Sequence, residues 1–128
     1  MRYLLDTHVF LWWIAGDDRL SDRARTIIAD GQNVLYLSAA SCWEIAIKTR
    51  LGRLTLSGDA QEFIPEHMAR NSIEGLPVQV AHALRVASLP DHHRDPFDRL
   101  LVAQSEMEAL PLLTSDRQFQ PYKVPLVW

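Results

Sequence analysis

Short apolar runs alternate with helix-like segments along the whole of this 128-residue chain. The runs have the length of β-strands, and the segments between them repeat their apolar residues at helical spacing. Consecutive parallel strands need a long crossover, usually a helix, whereas antiparallel strands can be joined by a tight turn. The alternation therefore predicts an α/β fold with a mostly parallel central sheet of four to five short strands, flanked by helices on both faces.

Caps and breakers set the limits of the predicted elements. Two helix starts depend on proline, which suits the first turn of a helix. Pro77 is expected to open one helix, with Val80 and Leu84 in its apolar register, and Asp95 and Pro96 are expected to cap and open the next. Strands are predicted over 2–6, 34–37, 73–76, 110–114 and 124–127, and helices over 8–15, 22–30, 40–51, 60–70, 78–87 and 96–109.

Composition bounds the class of protein. Of the 128 residues 48% are hydrophobic, which fits one compact domain over residues 1–128 with a substantial core. The single cysteine, Cys42, cannot form an internal disulfide, so a cytoplasmic location is expected. No apolar stretch approaches the roughly 20 residues that cross a bilayer, so neither a signal peptide nor a membrane span is expected. The formal net charge of −3 argues against a protein that coats nucleic acid non-specifically.

Four acidic residues stand where predicted elements meet. Asp6 and Asp116 come directly after short apolar strands, and Glu44 and Asp98 lie near the starts of apolar helices. Ligands of parallel α/β proteins bind at the carboxyl ends of the strands, and helix N-termini favour negative charge. The placement predicts one pocket that collects all four carboxylates from the whole fold.

Such a pocket favours a hard divalent cation. Carboxylate and water oxygens suit Mg²⁺ or Mn²⁺, whereas Zn²⁺ usually takes histidine or cysteine ligands, which the predicted pocket lacks. A divalent ion held this way can activate water and stabilise the charge that develops during phosphodiester cleavage. A polyanionic substrate is therefore compatible with the net negative charge of the chain, because the ion reverses the local field.

Each acid also has an ordinary structural explanation. Glu44 completes a capping-box spacing with Ser41 and has Lys48 one turn later, while Asp98 and Asp116 can serve as helix-start residues. Asp6 is the hardest to explain this way, because an aspartate that ends a buried strand is costly unless it is hydrogen-bonded or bound to a cation.

Four sequence segments add a family likeness. In chain order they are residues 3–8 (YLLDTH), 38–45 (SAASCWEI), 93–104 (HRDPFDRLLVAQ) and 113–116 (LTSD). Together they resemble the motifs of PIN-domain proteins, and most of all the VapC-type toxins of bacterial toxin–antitoxin pairs. The resemblance spans essentially the whole chain, and the DPFDRLL segment is its most specific part.

The resemblance implies a Mg²⁺-dependent endoribonuclease, for which Mn²⁺ can substitute. Asp6 and Asp98 would be direct metal ligands, and Glu44 and Asp116 would complete the catalytic pocket through water or a second ion. The family usually forms homodimers and is inhibited by a cognate antitoxin protein, so both partners are expected here.

Three residues are candidates for binding the substrate RNA. By the same likeness, Thr7 or Ser115 would orient water or phosphate. Arg94, beside the predicted pocket, is a candidate for contact with an RNA phosphate. The adjacent His92 and His93 are expected to be solvated in a loop, since neighbouring loop side chains point in different directions.

Two alternatives from the residues stay open. Asp6 can be read as the nucleophile of a phosphoryl-transfer enzyme, although His8 stands where such enzymes carry a second aspartate. The chain can also be read as a PIN-like binding module that no longer cuts RNA and acts through protein contacts.

Overall fold

A computed structural model describes all of residues 1–128 and contains five strands and six α-helices. The strands are β1 (Arg2–Leu5), β2 (Val34–Ser38), β3 (Ile73–Leu76), β4 (Leu112–Leu113) and β5 (Leu126–Val127). The α-helices are α1 (Thr7–Ala15), α2 (Asp22–Ala29), α3 (Ala39–Arg50), α4 (Ala60–Arg70), α5 (Val80–Ser88) and α6 (Pro96–Glu108), and a short 3₁₀ helix spans Arg117–Phe119.

All five strands run parallel in one sheet, in the order β3-β2-β1-β4-β5. β1 is central, with Leu5 paired to Leu37 on one side and to Leu113 on the other. The carboxyl ends of β1, β2 and β4 therefore meet at the same edge of the sheet. This arrangement confirms the predicted fold class and brings the residues after Leu5 and Leu113 together.

Helices cover both faces of the sheet, because alternate residues of each strand point to opposite sides. Leu5 belongs to a buried cluster with Phe10 of α1 and Ile45 of α3, whereas Leu4 belongs to a second cluster with Leu101 of α6. α3 and α6 thus approach the same sheet edge from opposite faces. No helix is long and apolar enough to cross a membrane.

The prediction for α5 was wrong in its start and in its buried face. The helix begins at Val80 with Gln79 as its cap, so Pro77 lies before it rather than in its first turn. Val80 is 77% exposed and Leu84 is 69% exposed, and the buried member of the helix is His82. Helical spacing fixed which residues share a face, but not which face meets the core.

Two helix starts also differ from expectation at the sheet edge. The cap of α1 is Asp6 rather than Thr7, and the cap of α3 is Ser38, whose hydroxyl accepts a hydrogen bond from the Ala40 amide. Ser41 lies inside α3, so the capping-box explanation of Glu44 is wrong.

Candidate active site

Asp6 and Asp116 are brought together by the pairing of β1 with β4. The Asp6 amide donates to the carbonyl of Leu113, and the Thr114 hydroxyl donates to Oδ2 of Asp6 at 2.7 Å. The same hydroxyl accepts the Asp116 amide at 3.0 Å. Thr114 is buried and joins the two acidic segments, yet the sequence prediction passed over it. Its position directly after an apolar strand was the available signal.

Glu44 comes from the first face of the sheet and is buried. Its Oε2 atom accepts a 2.7 Å hydrogen bond from Lys48, one turn later on α3, which confirms that pairing. Its Oε1 atom is buried without a hydrogen-bond partner. An unpartnered carboxylate oxygen in a buried position is costly, so this atom calls for a donor or a cation.

Asp98 comes from the other face, in the first turn of α6. Asp95 caps this helix as predicted, since its Oδ1 atom accepts the amides of Phe97 and Asp98. Proline follows the cap and fixes the first turn. The cap therefore holds the Asp98 backbone and leaves its side chain free to turn toward the sheet edge.

The electrostatics of Asp98 depend on the other three acids. Burial first, and then the negative charges of Asp6, Asp95, Glu44 and Asp116, together raise the pKa of Asp98 to about 8. Burial also raises the pKa of Asp6, against the opposing hydrogen bond from Thr114. Like charges that crowd together favour the protonated form of at least one member.

His93 enters the acidic cluster, contrary to the expectation that this residue is solvated. Its side chain is 9% exposed, and its Nε2 atom lies 2.9 Å from Oδ2 of Asp98 and 3.9 Å from Oδ2 of Asp116. Its Nδ1 atom accepts the Asp95 amide at 3.1 Å. The neighbouring His92 is exposed, with its ring 5.2 Å from that of Tyr122. The pocket therefore contains an imidazole, which the sequence prediction excluded.

A network of hydrogen bonds anchors the loop that carries His93. The Tyr122 hydroxyl accepts the His93 amide at 3.0 Å and donates to the carbonyl of Pro90 at 3.1 Å. The Arg99 guanidinium donates to the carbonyls of Val86 and Pro90, at 2.7 and 3.0 Å, and so joins the end of α5 to the same loop. The loop is thereby fixed at both of its ends.

The three candidate substrate-binding residues differ in burial and in hydrogen bonding. Thr7 is buried, and its hydroxyl donates to Oγ of Ser41 at 2.8 Å, so it fastens α1 to α3. Ser115 is exposed between Thr114 and Asp116, beside the cluster. Arg94 is exposed in the loop before α6 and forms no salt bridge. The last two are accessible to a substrate, whereas the Thr7 hydroxyl is occupied by a structural contact.

The donor set fits a hard divalent cation. Glu44 offers a buried oxygen with no partner, and the pKa of Asp98 is raised by burial and then by neighbouring negative charge that a cation would neutralise. Oxygen atoms from Asp6, Glu44, Asp98 and Asp116 suit Mg²⁺ or Mn²⁺. His93, Asp98 and Asp116 also have potential ligand atoms within 4.8 Å of one another, so the role of the histidine bears on the choice of metal.

The fold and the site together define a parallel α/β protein with an acidic centre at the carboxyl edge of its sheet. A family model described as the PIN domain matches residues 3–124. The chain therefore belongs to the PIN-domain family, as the four motif segments predicted.

Two curated relatives come from Mycobacterium tuberculosis. The chain is 30% identical over 122 residues to Ribonuclease VapC22, in a match that covers 95% of the chain and 92% of that protein. It is 41% identical over 61 residues to Ribonuclease VapC16, in a match that covers 48% of the chain. That second match spans 43% of the relative, so less than half of its length is compared.

Solved structures share the fold at low sequence identity. The chain aligns with a structure of DNA-bound VapBC from Salmonella typhimurium with a TM-score of 0.72 and 13% identity, covering 100% of this chain and 97% of the other. It aligns with a toxin–antitoxin complex from Klebsiella pneumoniae with a TM-score of 0.63 and 16% identity, covering 98% and 96%. At these identities the likeness establishes the fold.

Proposed function

We propose that this protein is a metal-dependent endoribonuclease, and that residues 1–128 form one nuclease domain. The observation that carries the proposal is the buried Oε1 atom of Glu44, which has no partner, in a residue whose charge acts on Asp98 together with the charges of Asp6 and Asp116. The names of the two ribonuclease relatives support RNA as the substrate.

The four acids would bind Mg²⁺, or Mn²⁺ in its place, in two different ways. Asp6 and Asp98 would bind the ion directly, the first from the position after the central strand β1 and the second from α6. Glu44, with Lys48 on its other oxygen, and Asp116 would complete the pocket through water or a second ion. A bound ion would lower the pKa of a water molecule and stabilise the negative charge that develops on the phosphodiester.

The remaining chemistry belongs to this chain's own side chains. In hydrolysis the water loses a proton as its oxygen forms a bond to phosphorus, the bond from phosphorus to one ribose oxygen breaks, and that ribose oxygen gains a proton in return. Thr114 would keep Asp6 in place during this exchange through its 2.7 Å hydrogen bond. Ser115 and Arg94, both exposed beside the acids, would contact the RNA phosphate. We retain Thr7 as a weaker candidate, since its hydroxyl is held by Ser41.

We further propose two protein partners. The fold shared with the Klebsiella toxin–antitoxin complex supports a cognate antitoxin that inhibits this protein as the toxin of a pair. The exposed apolar positions of α5, Val80 and Leu84, support a homodimer, because large apolar side chains that share an exposed helix face favour burial against another surface.

Cleavage assays test the activity. Purified protein is incubated with structured and unstructured RNA in Mg²⁺, in Mn²⁺ and in EDTA. We expect cleavage with either ion and none in EDTA, and a loss of more than about a hundredfold in Asp98→Asn and Asp6→Ala, since several kcal/mol of transition-state stabilisation depend on the ion. Asp18→Asn, at an exposed position away from the site, is the matched control and should cleave normally.

Three outcomes would count against the proposal. Activity that survives EDTA, or that persists in Asp98→Asn, contradicts metal-dependent cleavage. Metal binding without turnover on any RNA favours a binding module that no longer cuts. Circular dichroism of each variant separates loss of chemistry from loss of fold.

A further inference from the structure

We propose that His93 is a positioning residue of the acidic site, which donates a hydrogen bond from Nε2 to Asp98 and does not bind the metal ion. The inference deepens the proposed function and rests on it. It starts from the tautomer of the ring, which the backbone of the following loop determines.

The Asp95 amide fixes that tautomer. It donates to Nδ1 of His93 at 3.1 Å, so Nδ1 must carry a lone pair, and the neutral ring carries its hydrogen on Nε2. Asp95 cannot shift freely to release this contact, because its Oδ1 atom caps α6 through the amides of Phe97 and Asp98. Asp95 therefore both caps α6 through its side chain and determines the tautomer of His93 through its amide.

The Nε2 hydrogen of His93 lies beside carboxylates but has no hydrogen-bond acceptor. Nε2 is buried and has no hydrogen bond of good geometry, although Oδ2 of Asp98 lies 2.9 Å away and Oδ2 of Asp116 lies 3.9 Å away. Of these two acceptors, only Oδ2 of Asp98 lies within hydrogen-bond distance of the donor. A buried N–H group without an acceptor is costly, which favours that contact.

The other three acids each already have a donor on one oxygen. Asp6 accepts from Thr114, Glu44 from Lys48, and Asp116 from the amide of Gln118. Asp98 has no side-chain donor other than His93. The imidazole therefore completes a pattern in which one oxygen of each carboxylate is held by the protein and the other stays free for the ion.

The competing arrangement is a metal site made of His93, Asp98 and Asp116, whose ligand atoms are close enough together. Such a set would favour transition metals over Mg²⁺. Metal binding through Nε2 requires the ring hydrogen to be on Nδ1. That hydrogen would then point at the Asp95 N–H, whose nitrogen lies 3.1 Å from Nδ1, so two donors would face each other. The lost backbone hydrogen bond opposes metal binding by this histidine.

Nitrogen NMR of ¹⁵N-labelled protein tests the tautomer directly. The His93 ring signals are assigned by their disappearance in His93→Gln, with His92→Gln as the matched control. We expect Nε2 to carry the hydrogen both in EDTA and with saturating Mg²⁺. Transfer of the hydrogen to Nδ1 when Mg²⁺ is added would overturn the proposal in favour of a metal ligand.

Mg²⁺ binding measured by calorimetry, without RNA, tests the positioning role. His93→Ala should bind Mg²⁺ about 10- to 100-fold more weakly, as is typical when a residue that orients a metal ligand is removed. His93→Gln keeps an amide donor and should recover part of the affinity. Tyr122→Phe removes the hydroxyl that anchors the His93 amide and should show a smaller loss, while His92→Ala should bind normally.

RNA cleavage by the same proteins separates the two proposals. We expect His93→Ala to need more Mg²⁺ for half-maximal rate, with little change in the KM for RNA. If the unaltered protein binds Mg²⁺ and cleaves, and His93→Ala does both equally well, only the role of His93 is refuted. If the unaltered protein neither binds Mg²⁺ nor cleaves RNA, the proposed function fails and this inference fails with it.

Discussion

Glu44 and Asp98 enter the acidic site from opposite faces of the sheet, and their surroundings differ. Glu44 lies on α3 beside Ile45 of the first core cluster, and Lys48 donates to it at 2.7 Å. Asp98 lies on α6 one turn before Leu101 of the second cluster, and the only basic side chain within 4 Å of its carboxylate is that of His93. Glu44 has a counter-charge on its own helix, and Asp98 has an imidazole from the loop before its helix.

The difference concerns the proton of Asp98. Burial and the neighbouring acids raise its pKa to about 8, so in the absence of a cation it holds a proton at neutral pH. The Lys48 ammonium gives Glu44 a full opposite charge within hydrogen-bond distance, and Glu44 in turn raises the pKa of Lys48. The ionisation of Asp98 therefore depends on the arrival of a cation.

The largest expected effect is a fall in the stability of the metal-free protein as pH rises. Folding raises the pKa of Asp98 from 3.8 to about 8, so between these values the folded state keeps a proton that the unfolded state releases. Stability from this group is full below pH 4, declines by roughly 1 kcal/mol per pH unit, and levels off above pH 8. Urea unfolding in EDTA measures the decline.

Asp98→Asn should flatten most of that decline, because the amide does not titrate. A smaller slope should remain, since folding also raises the pKa of Asp6. Mg²⁺ added to the unaltered protein at pH 8 should restore stability, because binding to the folded state alone stabilises it. An equal slope in Asp98→Asn and the unaltered protein would show that Asp98 is not the group responsible.

A second effect comes from Lys48→Met, which removes the counter-charge of Glu44. The buried carboxylate then has no donor on either oxygen, so we expect a loss of about 1–3 kcal/mol in unfolding free energy. Arg70→Met is the matched control: it breaks a pair with Glu66 at the same helical spacing, with side chains 66% and 52% exposed. That control should lose no more than about 0.5 kcal/mol. Equal losses would mean that the Glu44 pair contributes only as a surface contact.

The smallest effect is expected from Thr114→Val, which keeps the shape of the side chain and removes the hydroxyl. Asp6 loses a donor and the Asp116 amide loses an acceptor, at a cost of about 1 kcal/mol. Mg²⁺ affinity should fall about tenfold, as is typical for groups that orient metal ligands. Thr49→Val removes a hydroxyl that bonds only its own helix, to the carbonyl of Ala46, and should leave Mg²⁺ binding unchanged.

The sequence predicted the features that depend on local chemistry. The Asp95 cap followed by Pro96 placed the start of α6 correctly, because capping and proline geometry act within one turn. The alternation of strands and helices predicted the parallel sheet, and the strand ends predicted that Asp6 and Asp116 lie together. The sheet confirmed the first, and Thr114, which bonds the Asp6 carboxylate and the Asp116 amide, joins the two acidic segments.

The features that depend on packing between distant segments were missed. Nothing local distinguishes His93 from His92; the side chain of His93 is only 9% exposed, and Tyr122, 29 positions along, holds its amide. Similarly, the apolar register of α5 was read correctly, but Leu84 points outward because His82 occupies the buried side and contacts Glu108 of α6. Whether a side chain points inward or outward depends on residues distant in the sequence, which a spacing pattern does not identify.

The strand order also has a consequence for synthesis on the ribosome. Asp6 is among the first residues made, yet its hydrogen-bond partner Thr114 lies 108 positions later, directly after β4. β4 in turn pairs with β5 at Leu126 and Val127. Contacts this distant in sequence form late, and translation adds roughly 5–20 residues per second. A nascent chain therefore carries Asp6 for seconds before the acidic site can assemble. The time taken by chain elongation delays the point at which the protein can bind a metal ion there.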